Sequence, residues 1–309
     1  MSSLHVIFGT GPLGRYTAEA LIEKGFNVRL INRSGKMENS PKGAEIIKSD
    51  ATNFSKTIDL VQGAATIYQC AQPAYHRWQE EFPQLQDAII KLAIESKSKL
   101  IVAENLYMYG NTHGHPMTET TPFNPCSKKG KVRAEMSKIL FKAHVDGKVR
   151  VASARGSDFF GPWEPINGKM IFEAALKKKT LNMLGNLNQP HTFTYVKDFG
   201  KALAIAGTDE RALGKAWHVP SGEAFTQNQL LDLLSKQLGY ELIARETGKF
   251  MLHLIGFFNP SVKEVVEMLY EFEAPFVMDS SEMEKTFGLK ATPFEQRISE
   301  TLEWVKKQL

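Results

Sequence analysis

Cysteine is scarce: Cys70 and Cys126 are the only two in 309 residues. Two thiols cannot make a disulfide framework, and no metal-ligand spacing surrounds them. The expected setting is a reducing compartment, the cytoplasm, and no metal site is expected. Apolar runs are short. None approaches the roughly 18 residues that a membrane span requires, and the greasiest stretch, residues 251–258, contains His253 and Gly256. The N-terminus lacks the basic, apolar and small-residue succession of a signal peptide. Charge of one sign is not in excess either. Thirty-eight Lys and Arg against 34 Asp and Glu leave +4, spread along the chain, whereas nucleic-acid binders gather basic charge on one face. A secreted, membrane-spanning or nucleic-acid-binding protein is therefore not expected.

What the chain does have is enough apolar residue, 42%, for a large core, and a length near two domains of roughly 150 residues. The first 31 residues read as strand, glycine turn, helix and strand: His5–Phe8, Gly9–Gly14, Tyr16–Lys24 and Asn27–Ile31. That is one βαβ unit. The alternation continues with strands at 45–48, 66–70, 99–103 and 149–153, and helices at 54–61, 78–96 and 130–146. Such a rhythm predicts a parallel sheet covered on both faces, a doubly wound α/β fold. Beyond about residue 160 the rhythm loosens. Strand-like segments at 193–196 and 217–219 are expected to return to the sheet, and the rest, with helices at 226–238 and 293–308, to form a smaller, mostly helical cap. The predicted division is a nucleotide-binding domain over 1–162, with returning segments near 191–220, interleaved with a cap over 163–309.

The glycine turn matches the dinucleotide fingerprint, Gly9-Thr10-Gly11-Pro12-Leu13-Gly14. Gly9 permits the tight turn, Gly11 the close approach of backbone to pyrophosphate, and Gly14 the packing of helix on strand. The helix N-terminus then offers unpaired N–H groups to phosphate. At the end of the second strand, where an NAD site usually carries an acid for the ribose 2′-hydroxyl, the sequence is Asn32-Arg33-Ser34-Gly35-Lys36. No carboxylate is there to repel a 2′-phosphate, and Arg33 can grip one. NADP is the expected cofactor, with NAD the alternative.

In these motifs the chain resembles the extended short-chain dehydrogenase/reductases, the NAD(P)-dependent epimerase/dehydratase family. The resemblance runs through Gly9–Gly14, Ser49-Asp50-Ala51, Gln69-Cys70-Ala71-Gln72-Pro73, Asn105–Gly110, Lys131-Val-Arg-Ala-Glu135, Arg155–Pro162 and His191–Asp198. It implies that Asp50 and Ala51 contact adenine, that Ala71, Gln72 and Pro73 run past the cofactor, and that Lys131 holds the nicotinamide ribose. Asp158, where the family has Asn, is implied to face nicotinamide or substrate. The family also suggests a homodimer through the helices at 78–96 and 130–146. The pattern breaks at the chemistry. The family's Tyr-x-x-x-Lys places Ser127 where the tyrosine belongs, and the usual Ser/Thr before Tyr-Gly is Asn105. A serine hydroxyl cannot serve as the same acid–base group. Tyr107, two residues before Tyr109, is the candidate replacement, with Lys131 expected to lower its pKa and Asn105 beside it. The expectation is an NADP-dependent oxidoreductase acting on a carbonyl or alcohol of a small molecule. The alternative is a non-catalytic NADP-binding redox sensor. The substrate stays open between a nucleotide sugar, a small carbonyl compound and an isoprenoid or steroid-like alcohol.

Overall fold

A computed structural model describes residues 2–258 and 260–309. Seven strands form one parallel sheet: β1 (Leu4–Phe8), β2 (Asn27–Asn32), β3 (Ala44–Lys48), β4 (Ala64–Gln69), β5 (Lys99–Glu104), β6 (Val151–Arg155) and, from much later in the chain, β10 (Ala216–His218). Their spatial order is β3-β2-β1-β4-β5-β6-β10. This is the order of a dinucleotide-binding sheet extended by one strand. The central strands are buried on both faces and are runs of apolar residues, Val6-Ile7-Phe8 and Leu100-Ile101-Val102 among them, as a sheet covered by helices on both faces requires.

Helices α1 (Pro12–Glu23), α2 (Phe54–Val61), α3 (Trp78–Glu95) and α4 (Lys128–Val145) alternate with these strands. The core divides in two across the sheet. One half gathers α1 residues such as Leu21 with Phe199, Leu203 and Trp217; the other gathers Ile89, Leu92, Leu140 and Val151. The first half belongs partly to the later chain, because helix α6 (Val196–Thr208) lies against α1 and the sheet. Strand β10 closes the edge, with Trp217 beside Ala154 of β6.

The rest of the later chain is smaller elements. Strands β7 (Asp158–Phe160) and β9 (Phe193–Tyr195) pair in parallel, as do β8 (Leu181–Leu184) and β11 (Ala244–Thr247). Around them lie α5 (Ile171–Leu176), α7 (Gln227–Leu238), α8 (Lys249–Gly256), α9 (Pro260–Val265), α10 (Tyr270–Glu273), α11 (Ser281–Phe287) and α12 (Phe294–Lys306). Phe160, Phe172, Phe193, Leu231 and Ile298 form their common core. Among the described residues no helix is long and apolar enough to cross a membrane.

Candidate active site

Strands β1 and β4 are sheet neighbours whose following helices lie on opposite faces, which opens a crevice at their carboxyl ends. A cavity of about 1360 Å³ begins there and continues between the sheet and the cap. Gly9, Thr10, Gly11, Pro12 and Leu13 line it from β1, and Ala71, Gln72 and Pro73 from β4. The glycines differ in what holds them. A Cβ on Gly9 would stand 2.6 Å from the Ala71 nitrogen, and one on Gly14 only 2.0 Å from the Gly9 carbonyl oxygen. Gly11 has nothing within 4 Å of its would-be Cβ. It caps α1 with no side-chain acceptor, which leaves the first N–H groups of the helix without a side-chain partner, as an anion site requires.

Asn32 is occupied. Its Nδ2 donates to Thr10 Oγ1 at 2.7 Å and to the Lys36 carbonyl at 2.8 Å, while its Oδ1 accepts from Gly35 N and the Ser34 hydroxyl. These bonds shape the loop and leave Arg33 exposed on the cavity wall, with no ion pair among the described residues. Asp50 Oδ1 caps its own turn by accepting from Thr52, and Asp50 and Ala51 both line the cavity.

The far end of the cavity is a polar cluster. Asn105 Oδ1 accepts from Tyr107 N at 3.4 Å, at the start of the single helical turn Tyr107–Tyr109. The Tyr107 hydroxyl lies 3.4 Å from that of Tyr75. Burial, then Tyr75, Glu271 and Asp158, push the Tyr107 hydroxyl well above the usual tyrosine range. Asp158 Oδ2 lies 2.9 Å from His191 Nε2, whose Nδ1 donates to the Glu271 carbonyl. His191 Nε2 also lies 3.5 Å from the Ser157 hydroxyl, and Asp158 Oδ2 is buried without a hydrogen-bond partner among the described residues. Glu271 is buried; burial and Asp158 raise its carboxyl well above the ordinary range. Above this cluster the wall is apolar: Phe160, Phe193, Phe225, Phe272 and Phe276 line it, and Ile166, Met170, Met251 and Ile255 stand exposed at its mouth.

Lys131 is placed otherwise than the spacing implied. It is exposed on the outer side of α4 and absent from the cavity wall. The reason is the helix start: Ser127 is the N-cap of α4, accepting from Gly130 N at 3.0 Å, and that phase turns Gly130 and Arg133 inward. Gly130 packs so closely that a Cβ would meet the Tyr107 carbonyl oxygen at 2.5 Å. Arg133, and not Lys131, is the α4 cation that lines the cavity with Tyr107, and the expected lowering of the tyrosine by Lys131 gives way to a burial-driven rise. Tyr109 is buried structure: its hydroxyl donates to His218 Nε2 at 2.8 Å and accepts from Arg155. Glu271 and Tyr75 are cavity residues that motif reading passed over, and Arg133, expected with Lys128 and Lys129 on a solvated face of α4, is instead buried in the cavity wall. Arg133 carried a signal: the buried residues Gly130, Arg133, Ser137 and Leu140 are a 3–4 spaced stripe, and an arginine on such a stripe faces inward.

Comparison with known proteins accounts for this architecture. At 25% identity over 285 residues, covering 88% of this chain and 78% of the other, the chain is similar to the decarboxylating sterol-4-alpha-carboxylate 3-dehydrogenase of Mus musculus. It is 23% identical over 254 residues, 75% of this chain and 81% of the other, to a putative UDP-glucose 4-epimerase of Methanocaldococcus jannaschii. Among solved structures, UDP-glucose 4-epimerase of Thermotoga maritima, determined with UDP-glucose, superposes with a TM-score of 0.81 at 19% identity, covering 99% of both chains. The dTDP-glucose 4,6-dehydratase of Bacillus anthracis in complex with NAD gives 0.81 at 15% identity, covering 99% and 97%. The family model for NAD dependent epimerases and dehydratases matches residues 6–219, about two thirds of the sequence, and the chain belongs to that family.

Proposed function

We propose that this protein is an NADP-dependent oxidoreductase that interconverts an alcohol and a ketone on a largely apolar substrate, with Tyr107 as the group that meets the substrate oxygen. The observation that carries the reading is the single cavity: the glycine cradle and the Tyr107–Asp158 cluster open into the same space. The residues fit a dinucleotide. Gly11 leaves room where a side chain would intrude, Arg33 stands ready for a 2′-phosphate, and the buried Gln69 amide in the cavity wall has neither of its polar atoms paired. Asp50 and Ala51 would bound the adenine end, and Ala71, Gln72 and Pro73 the middle.

Bound there, the cofactor supplies acceptance or return of a hydride at the substrate carbon. The chain supplies orientation and the proton. Tyr107, protonated because it is buried, donates its hydroxyl hydrogen to the substrate oxygen. Asn105 holds the turn that aims it. In the oxidative direction the alcohol proton leaves through the same hydroxyl, whose hydrogen passes on to the Tyr75 hydroxyl 3.4 Å away. The phenylalanine wall supports an apolar substrate, and the sterol dehydrogenase among the relatives supports the same class. A nucleotide sugar would need paired cations for its diphosphate on the cap side of the cavity, where, among the described residues, Arg245 is the single one in the wall.

The test is NADP-dependent oxidation of hydroxysteroids, followed at the nicotinamide absorbance, with binding titrated separately. A second reading, a redox sensor without turnover, has one observation in its favour: Ser127 is used up as a helix cap and Lys131 is exposed. NADPH binding with no turnover of any steroid, isoprenoid or sugar-nucleotide alcohol would select the sensor.

A further inference from the structure

The end of β5 buries a charge cluster that the chemistry above leaves unbalanced. Glu104 Oε2 accepts from Arg155 Nε at 2.9 Å, and Glu104 Oε1 lies 3.7 Å from Arg133 Nη2; all three side chains are at most 3% exposed. Ser137 and Tyr109 complete the surroundings with neutral hydroxyls. His218 behind Tyr109 is neutral as well, since burial takes its pKa down to about 4. Two guanidinium cations therefore face one carboxylate.

Arg133 is the member at the cavity. Its Nη2 donates to the Ala103 carbonyl at 3.3 Å, and the Phe82 ring lies 4.8 Å from its Cζ. Among the described residues its Nε and Nη1 have no hydrogen-bond partner, and it lines the wall together with Tyr107, Asn105 and Gln69. A buried guanidinium with idle donors and half a counter-charge is costly. A ligand oxyanion in the cavity would satisfy both deficits, because a guanidinium binds carboxylate and phosphate better than any other side chain does.

We infer that Arg133 is an oxyanion-binding residue of this site, taking a carboxylate on the substrate or, from the other source of the same chemistry, a phosphate of the dinucleotide. The inference rests on the reading that the cavity holds a dinucleotide and an apolar alcohol. It assigns to Arg133 a role in recognition, alongside Tyr107 at the reacting oxygen.

The experiment measures binding by the full chain, wild type, Arg133→Lys and Arg133→Met, using three probes: NADPH, a hydroxysteroid carboxylic acid, and the methyl ester of that acid. Wild type should prefer the acid to the ester, and Arg133→Met should erase that preference by about 10- to 100-fold, the range of a hydrogen bond to a charged group. Arg133→Lys should retain part of it. Loss of NADPH affinity on the same scale, with the acid unaffected, would also support the oxyanion role and name the phosphate as its source. Unchanged affinity for all probes in Arg133→Met overturns the inference. Thermal stability is the control on folding. Removing an uncompensated buried cation should leave the melting temperature level or higher, so an Arg133→Met chain that fails to fold shows a structural guanidinium and also overturns it. Failure of the wild type to bind either steroid would instead refute the apolar-substrate reading, leaving the NADPH arm to judge Arg133.

Discussion

Gly11 and Gly14 lie three residues apart in one loop, and the structure predicts opposite consequences for replacing them. At Gly14 an added methyl would sit 2.0 Å from the Gly9 carbonyl oxygen, which is backbone and cannot swing away. Helix α1 would have to lift from the strand. Overpacking of that kind costs about 1–3 kcal/mol, and more when the obstacle is main chain. At roughly 2–4 °C per kcal/mol, the value for domains of 150–250 residues, Gly14→Ala should lower the melting temperature by about 2–12 °C. At Gly11 the backbone is extended, φ −70° and ψ −173°, which any residue adopts, and nothing lies within 4 Å. Gly11→Val should leave the melting temperature within about 2 °C, since substitutions away from packed features stay near ±0.5 kcal/mol. Yet the branched side chain would fill the space kept for pyrophosphate, so NADPH binding should fall below detection. Differential scanning fluorimetry and a fluorescence titration of NADPH read the two effects separately. Wild-type NADPH affinity in Gly11→Val would refute the cradle. A loss of stability equal to that of Gly14→Ala would refute the claim that Gly11 is kept open for a ligand.

Arg33→Ala should narrow the preference for NADPH over NADH by about 1–3 kcal/mol, the range of a charged hydrogen bond; equal wild-type affinities for the two cofactors would dispose of the NADP assignment. Tyr107→Phe should cut turnover about 100-fold or more with NADPH affinity unchanged, the size of a general acid–base contribution, and a larger loss on Ser127→Ala would reverse the proposed mechanism. Ser127→Ala should act on stability instead, costing about 0.5–2 kcal/mol through the lost N-cap of α4, seen in chemical denaturation. His218 has its pKa taken from 6.5 to about 4 by burial. Its folded value lies below its unfolded one, so its contribution is intact above pH 6.5 and is lost as pH falls toward 4. Melting temperature should fall as pH is lowered from 6.5 to about 4, and His218→Gln should make that dependence shallower.

The parts legible in the sequence are those that local chemistry decides. A glycine turn between an apolar run and a helical stripe has few other uses, and a rhythm of strand and helix specifies a parallel sheet before any contact is known. The lysine of the Lys-x-x-Ala-Glu match was misplaced for a geometric reason. Each residue turns a helix by about 100°, so which side of α4 faces the cavity depends on where Ser127 starts it and on how closely Gly130 meets the Tyr107 turn. Neither is written in a spacing. The short strands β7 and β11 were illegible for a different reason: Asp158-Phe-Phe160 is three residues long, and Ala244-Arg-Glu-Thr247 is mostly polar and exposed, so their pairing is decided by partners far away in the chain. Glu271 escaped notice because it is one of four glutamates, with Glu264, Glu267 and Glu273, in a segment that mixes acidic and apolar residues.

The late arrival of β10 at the edge of the sheet bears on how the chain is made and how it can be cut. Until residue 218 has left the ribosome, β6 has an open edge. The face of the sheet that α6 covers, with Tyr68 and Ile101 on it, also lacks that cover until residue 208 has emerged. Unpaired edges and bare apolar faces are what partly made chains aggregate through. A fragment ending near residue 162 would carry both defects permanently, although it contains the whole glycine cradle. The nucleotide site and its scaffold thus mature as one cooperative unit, completed by residues that lie beyond the middle of the sequence.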